Sequence, residues 1–191
     1  MLYGNAVGLN KLRETRAAIE SPKIPPSFDG YTIALVADLH VGNMKSGAII
    51  DKTIDRIHEI DPDVVLFLGD MVHSRTREVY PFRENLERLH AREGVYAIMG
   101  NHDYGYYANW PDEASHQQNL QDLKDLYRDI GWDLLDDESV LLRRGKDSID
   151  LIGVENWSEP PFPQYGKLDV ALAGVDQAGY KILMTHNPNH W

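Results

Sequence analysis

Gly100-Asn101-His102-Asp103 sets an amide, an imidazole and a carboxylate side by side after an apolar run. Three other places share the pattern. "VADLH" brings Asp38 and His40 after an apolar run, "FLGD" brings Asp70, and "LMTH" brings His186. Carboxylate, imidazole and amide groups are ligands for divalent cations. Each piece alone has a plainer explanation. An Asp after a strand is commonly a turn residue or a helix N-cap, and Gly and Asn both tolerate left-handed backbone. Four coincidences of residue type and position are harder to explain singly than as one site. The chain has no cysteine, so a metal would be held by His, Asp, Glu or Asn.

The elements that must position these side chains alternate. Residues 31–37, 63–69 and 94–100 are short apolar runs that read as buried strands. Between them, Ile50, Ile54 and Ile57 share one helical face over residues 47–60. Phe82, Leu86 and Leu89 do so over 81–91, with Pro81 at a first turn. Residues 119–131 read as a helix on Leu120, Leu123, Tyr127 and Ile130, stopped by Gly131. The pattern then changes. Residues 132–156 predict three strands with a turn at "RGKD", 158–166 a proline-rich loop, 168–179 a helix and 180–186 a last strand. Each of the four polar groups thus follows a strand. In open α/β sheets ligands bind beyond the carboxyl ends of the strands. The fold class expected is α/β (α+β), with a mixed sheet or two packed sheets and helices outside.

A length of 191 residues suits one domain with a sizeable core, and 42% hydrophobic residues is an ordinary globular composition. A formal net charge of −11 disfavours general affinity for nucleic acid, which needs a basic face. No apolar run approaches the roughly 18 residues of a membrane span. Residues 1–30 form a lead-in. Residues 9–20 read as a short helix or an edge strand, and "SPKIPPSFDG", with three prolines, as extended chain. His58, His90, His116 and His190 read as ordinary surface or helix-end residues, and His73 as a possible substrate contact. Tyr104, Tyr106, Tyr107 and Trp110 either line a cleft or pack their loop, with packing favoured.

Taken in order, Asp38-Leu39-His40, Gly69-Asp70, Gly100-Asn101-His102-Asp103 and His186 resemble the signature of the calcineurin-like metallophosphoesterases over roughly residues 31–187. The resemblance implies a sandwich of two mixed sheets flanked by helices and, over residues 31–191, a metallophosphoesterase domain. It implies that Asp38 and His40 bind one metal, that Asn101 and His186 bind a second, and that Asp70 bridges them. His102 is similar to the family's substrate-facing proton donor or charge stabiliser, oriented by Asp103. The family's later G-H-x-H motif has no counterpart before Trp191, which implies a domain continuing past this chain and one ligand fewer for each metal. The lead-in also resembles members whose domain follows a membrane-spanning region or signal.

The expected chemistry is hydrolysis of a phosphomonoester or phosphodiester by a hydroxide bridging two divalent metals, with Mn favoured among Mn, Fe, Zn, Co and Ni. The expected substrate is a small-molecule or lipid-linked phosphoester, with the full-length protein cytoplasmic or membrane-associated. A non-catalytic binding module on the same fold and a one-metal hydrolase are the alternatives.

Overall fold

A computed structural model describes residues 12–160 and 163–189. Two sheets form the framework. The first has the order β1 (Ile33–Val36), β2 (Val64–Phe67), β3 (Val95–Ala97), β4 (Asp133–Leu134), with every pairing parallel. The second has the order β5 (Glu138–Arg144), β6 (Asp147–Gly153), β7 (Lys181–Met184). There β5 and β6 form an antiparallel hairpin across Gly145 and Lys146, and β6 pairs in parallel with β7. The expected strands are all present, and the residues 132–156 divide: β4 closes the first sheet and only β5 and β6 enter the second.

Alternation along β2 explains why both faces are buried. Val65 and Phe67 pack toward the helices with Ile50, Ile54 and Ile57 of α1 (Ala48–Ile60) and Leu123, Leu126 and Tyr127 of α3 (Glu113–Asp129). Val64 and Leu66 point the other way, into a core shared with Leu142, Ile149, Leu151 and Met184 of the second sheet. A strand covered on both sides reads as a continuous apolar run, as "VVLF" does. Phe28, in a three-residue 3-10 turn (Pro26–Phe28), fills the same inter-sheet core and is 3% exposed. The end of the lead-in is therefore packed against the sheets, and residues 12–20 have no regular structure. Residues 9–11 lie outside the described residues.

Helix boundaries differ from expectation for local reasons. α3 starts at Glu113, six residues early, because the Asp112 side chain accepts the Ser115 N–H at 2.7 Å and caps it. The 81–91 segment is α-helical only as α2 (Arg83–Leu86), preceded by a 3-10 turn, although Phe82, Leu86 and Leu89 are buried as expected. The last expected helix is confined to α4 (Leu168–Ala171). No helix among the described residues is long and apolar enough to cross a membrane.

Candidate metal centre

Parallel pairing brings the ends of β1, β2 and β3 to one rim, and the loops beyond them stay zipped together. The Asp38 N–H donates to the Gly69 carbonyl, His40 to Asp70 and Val41 to Met71, each at 3.0 Å. Asp38, His40 and Asp70 have φ of 56°, 42° and 59°. Left-handed backbone is uncommon outside glycine and concentrates at functional sites. Gly69 and Gly100 stand back to back behind Asp70. A Cβ on Gly69 would lie 2.2 Å from the Gly100 nitrogen, and one on Gly100 would lie 2.2 Å from Asp70 Oδ1. Only glycine allows this approach, so the Gly in "GD" and the Gly in "GNHD" serve one purpose.

Asp70 is the hub and is 2% exposed. Its Oδ1 accepts the His102 N–H at 2.9 Å. Its Oδ2 is faced by His40 Nε2 at 3.3 Å and by His186 Nε2 at 3.6 Å. Both rings are held from behind: His40 Nδ1 lies 3.2 Å from the Val72 carbonyl, and His186 Nδ1 lies 2.7 Å from the Leu68 carbonyl. A singly protonated ring that donates from Nδ1 presents a lone pair at Nε2, the form in which imidazole binds metals. Asp38 Oδ1 stands 3.8 Å from His40 Nε2. Asn101 Oδ1 lies 3.2 Å from His186 Nε2, while its amide N–H donates to the Tyr107 hydroxyl at 2.8 Å.

The structure therefore brings together all five residues expected to bind metal. Side-chain oxygens and ring nitrogens of Asp38, His40, Asp70, Asn101 and His186 converge, those of Asp38, His40 and Asp70 lying within 4.8 Å of one another. Such a donor set suits divalent cations and is unfavourable without a compensating positive charge. His40, His73 and His102 form a second group whose ring nitrogens lie within 4.8 Å of one another.

His102 stands beside these groups, its ring stacked between His73 (5.1 Å) and Tyr107 (4.1 Å). The expectation that Asp103 orients His102 needs correction. His102 Nδ1 faces the His73 carbonyl at 2.6 Å, so that carbonyl sets the ring. Asp103 is fully buried behind the loop. Its Oδ2 accepts the N–H groups of Asp70 (2.8 Å) and Gly100 (2.9 Å), and its Oδ1 accepts that of Val72 (3.1 Å). Burial pushes its carboxyl up to about 7, against the pull of those three N–H groups. Neighbours in sequence here point opposite ways, which chain order alone does not disclose. Glu78, absent from the sequence reading, is a second clasp. Its carboxylate accepts the N–H groups of His73, Ser74 and Arg75 at 2.7–3.1 Å and so holds the carbonyl that orients His102.

The aromatic residues divide. Tyr104 is buried and Trp110 stacks on His116, as packing predicts, whereas Tyr106 and Tyr107 are half exposed beside Asn101.

A family model described as calcineurin-like phosphoesterase matches residues 31–191. A transmembrane protein with metallophosphoesterase domain from Danio rerio is 26% identical over 196 residues, covering 98% of this chain and 42% of that protein. The UDP-2,3-diacylglucosamine pyrophosphatase LpxG of Chlamydia trachomatis is 31% identical over 109 residues, covering 56% of this chain and 33% of that protein. The chain thus spans less than half the length of either relative. Among solved structures, a phosphopantetheinyl hydrolase from Mycobacterium tuberculosis matches with a TM-score of 0.55 and 15% identity, over 82% of this chain and 68% of that one. That likeness is one of fold.

Proposed function

Because the chain belongs to the calcineurin-like phosphoesterase family, we propose that it hydrolyses a phosphomonoester or phosphodiester at a site for two divalent cations. Asp38 and His40 would hold one ion and Asn101 and His186 the other, with Asp70 placed to serve both. One observation carries the reading: the Nε2 atoms of His40 and His186 converge on a single Asp70 oxygen, at 3.3 and 3.6 Å. When bound, such ions offset phosphoryl charge and make water a usable nucleophile near neutral pH.

The chain's own groups do the rest. His102, its Nδ1 tied to the His73 carbonyl, keeps Nε2 for the substrate and donates a proton to the leaving oxygen. His73 and Tyr107 restrain the ring plane from its two faces. Tyr107 also accepts the Asn101 amide N–H, which turns the amide oxygen toward His186.

The substrate class is a small-molecule or lipid-linked phosphoester. A net charge of −11 argues against binding a long polyanion. The descriptions of the Danio and Chlamydia relatives support a membrane setting and a substrate with a nucleotide or lipid part.

Metal analysis of the protein with its full natural length, together with a panel of phosphomonoester, phosphodiester, cyclic nucleotide and nucleotide-diphosphate lipid under added Mn, tests the reading. Two ions per chain and Mn-dependent release from at least one ester are expected. Bound ions with every ester intact would instead make this a binding module, and one ion per chain would remove the bridging role of Asp70.

A further inference from the structure

Four imidazoles stand at the candidate centre, and three are tied alike. Nδ1 of His40, His102 and His186 each faces a main-chain carbonyl, at 3.2, 2.6 and 2.7 Å. A neutral ring that donates there has a bare lone pair at Nε2. His73 is tied the other way. Its Nδ1 lies 3.3 Å from the Asn43 amide nitrogen, which can only donate. Nδ1 therefore accepts, and the neutral ring of His73 carries its proton on Nε2. Among the described residues nothing hydrogen-bonds that Nε2. The other polar groups of His73 are engaged, its N–H with Glu78 at 2.7 Å and its carbonyl with His102. The ring is fixed as well, stacked on His102 at 5.1 Å and set edge-on to His40 at 5.8 Å. Asn43 is held by its backbone. It ends the 3-10 turn Val41–Asn43, just past β1, and its N–H donates to the His40 carbonyl at 2.9 Å. A Cβ on Gly42 would lie 2.3 Å from Glu78 Oε2, so glycine lets this turn approach the Glu78 clasp.

We propose that His73 binds the substrate: its Nε2–H donates to a phosphoryl oxygen of the ester, with Asn43 as the positioning residue. The inference rests on the phosphoester reading of the adjoining site for the identity of the ligand. A ring nitrogen of His73 lies within 4.8 Å of one on His40 and one on His102. The two nitrogens of an imidazole flank a single carbon, so Nε2 belongs to the same cluster. His73 is exposed, so a ligand reaches it without opening the loop. His102 and His73 then divide the work. Neutral His102 offers a lone pair at Nε2 and donates from it only after taking up a proton, whereas neutral His73 donates as it stands. A hydrogen bond to a charged oxygen is among the stronger ones, and a phosphoryl group carries several such oxygens.

Proton placement is read first, without metal or substrate, from long-range ¹⁵N–¹H spectra of the chain at about pH 8.5, above the ordinary imidazole range. His73 shows hydrogen on Nε2 and a bare Nδ1, the reverse of His102. Binding is then read by calorimetry, with inorganic phosphate as the probe, on the Mn-loaded protein of full natural length. Two substitutions separate a donor from a scaffold, because both keep the main-chain groups that Glu78 and His102 use. A glutamine amide reaches the place of Nε2, and an asparagine amide only that of Nδ1. His73→Asn weakens phosphate binding about tenfold or more, the worth of one hydrogen bond to a charged group. His73→Gln weakens it by less than about threefold, and bound Mn stays near wild type in both. A proton on Nδ1 of His73, no uptake of phosphate by wild type, or the same affinity in both variants would overturn the proposal. If phosphate binding follows the donor while no ester is cleaved, the hydrolase reading falls and the role of His73 stands. Esters cleaved with one kcat/KM by wild type and His73→Asn would keep the hydrolase and remove His73 from it.

Discussion

Asp103→Asn separates the two roles that a carboxylate next to His102 could have. In the structure its two oxygens accept three buried main-chain N–H groups, two at Oδ2 and one at Oδ1. An amide keeps one oxygen. Turned toward Asp70 and Gly100, it retains two bonds and sets its own NH₂ against the Val72 N–H. One buried hydrogen bond is lost and one donor is left facing a donor, a cost of about 2–3 kcal/mol. Against a total stability of order 5–15 kcal/mol the loss is large. With a urea slope of about 2–3 kcal/mol per molar, the midpoint falls by about 1 M. The comparison belongs at pH 4, near the unfolded carboxyl value of 3.8, because at higher pH the raised native carboxyl itself opposes folding and its replacement by a neutral amide would offset the lost bond. Metal-free wild-type and variant chains are unfolded in urea and followed by far-UV circular dichroism. If Asp103 instead orients His102, the midpoint stays within a few tenths molar of wild type while turnover collapses, and the clasp argument is wrong.

Other outcomes follow from the same geometry. His102→Ala lowers turnover by about 10²–10⁴-fold and leaves metal content near wild type; parallel loss of metal by elemental analysis would make His102 a ligand. Gly100→Ala presses a methyl to within 2.2 Å of Asp70 Oδ1, so Asp70 must shift, and Mn affinity by calorimetry drops at least tenfold; unchanged affinity would refute the back-to-back role of the glycines. Glu155, beside Asp136, Lys124 and Tyr104, is raised from its ordinary value of 4.5 to about 7, first by burial and then by the Asp136 charge. A carboxyl raised in the folded state favours folding while protonated, so its contribution is full below the unfolded value of 4.5 and is lost as pH rises toward 7. After discounting for partial exposure the loss is on the order of 1 kcal/mol. Glu155→Gln therefore flattens the fall in urea midpoint between pH 4.5 and 7.5, and a slope equal to wild type would contradict the assignment.

Much of the site was legible because its parts obey one-dimensional rules. Apolar runs of strand length are visible in "IALV", "VVLF" and "KILM", and a polar residue just past each run is visible too. Parallel pairing then does the gathering, so Asp38, Asp70 and Asn101 meet without any local signal. What sequence could not disclose was direction. Asp103 follows His102, yet one side chain stands beside His40 and His73 and the other is sealed behind the loop. Glu78 and Asn43 work through tertiary contacts whose partners are fixed only once the loops fold. The early start of α3 was signalled by Asp112 and Ser115, but the polar first turns hid it from a search for apolar periodicity.

His186 reaches the centre from the end of β7, while Asp38, Asp70 and Asn101 follow strands of the other layer. The two layers pack on each other through side chains such as Phe28, Ile98, Leu151 and Met184. On the two-ion reading proposed above, the pair of ions would also gauge how well those layers fit. Trimming Leu151 to alanine lets the layers settle differently, which disturbs the pocket that uses His186 and spares the one built on Asp38 and His40. Occupancy of the two positions would then part company, and interior packing far from any ligand would be read out as a difference between two binding constants.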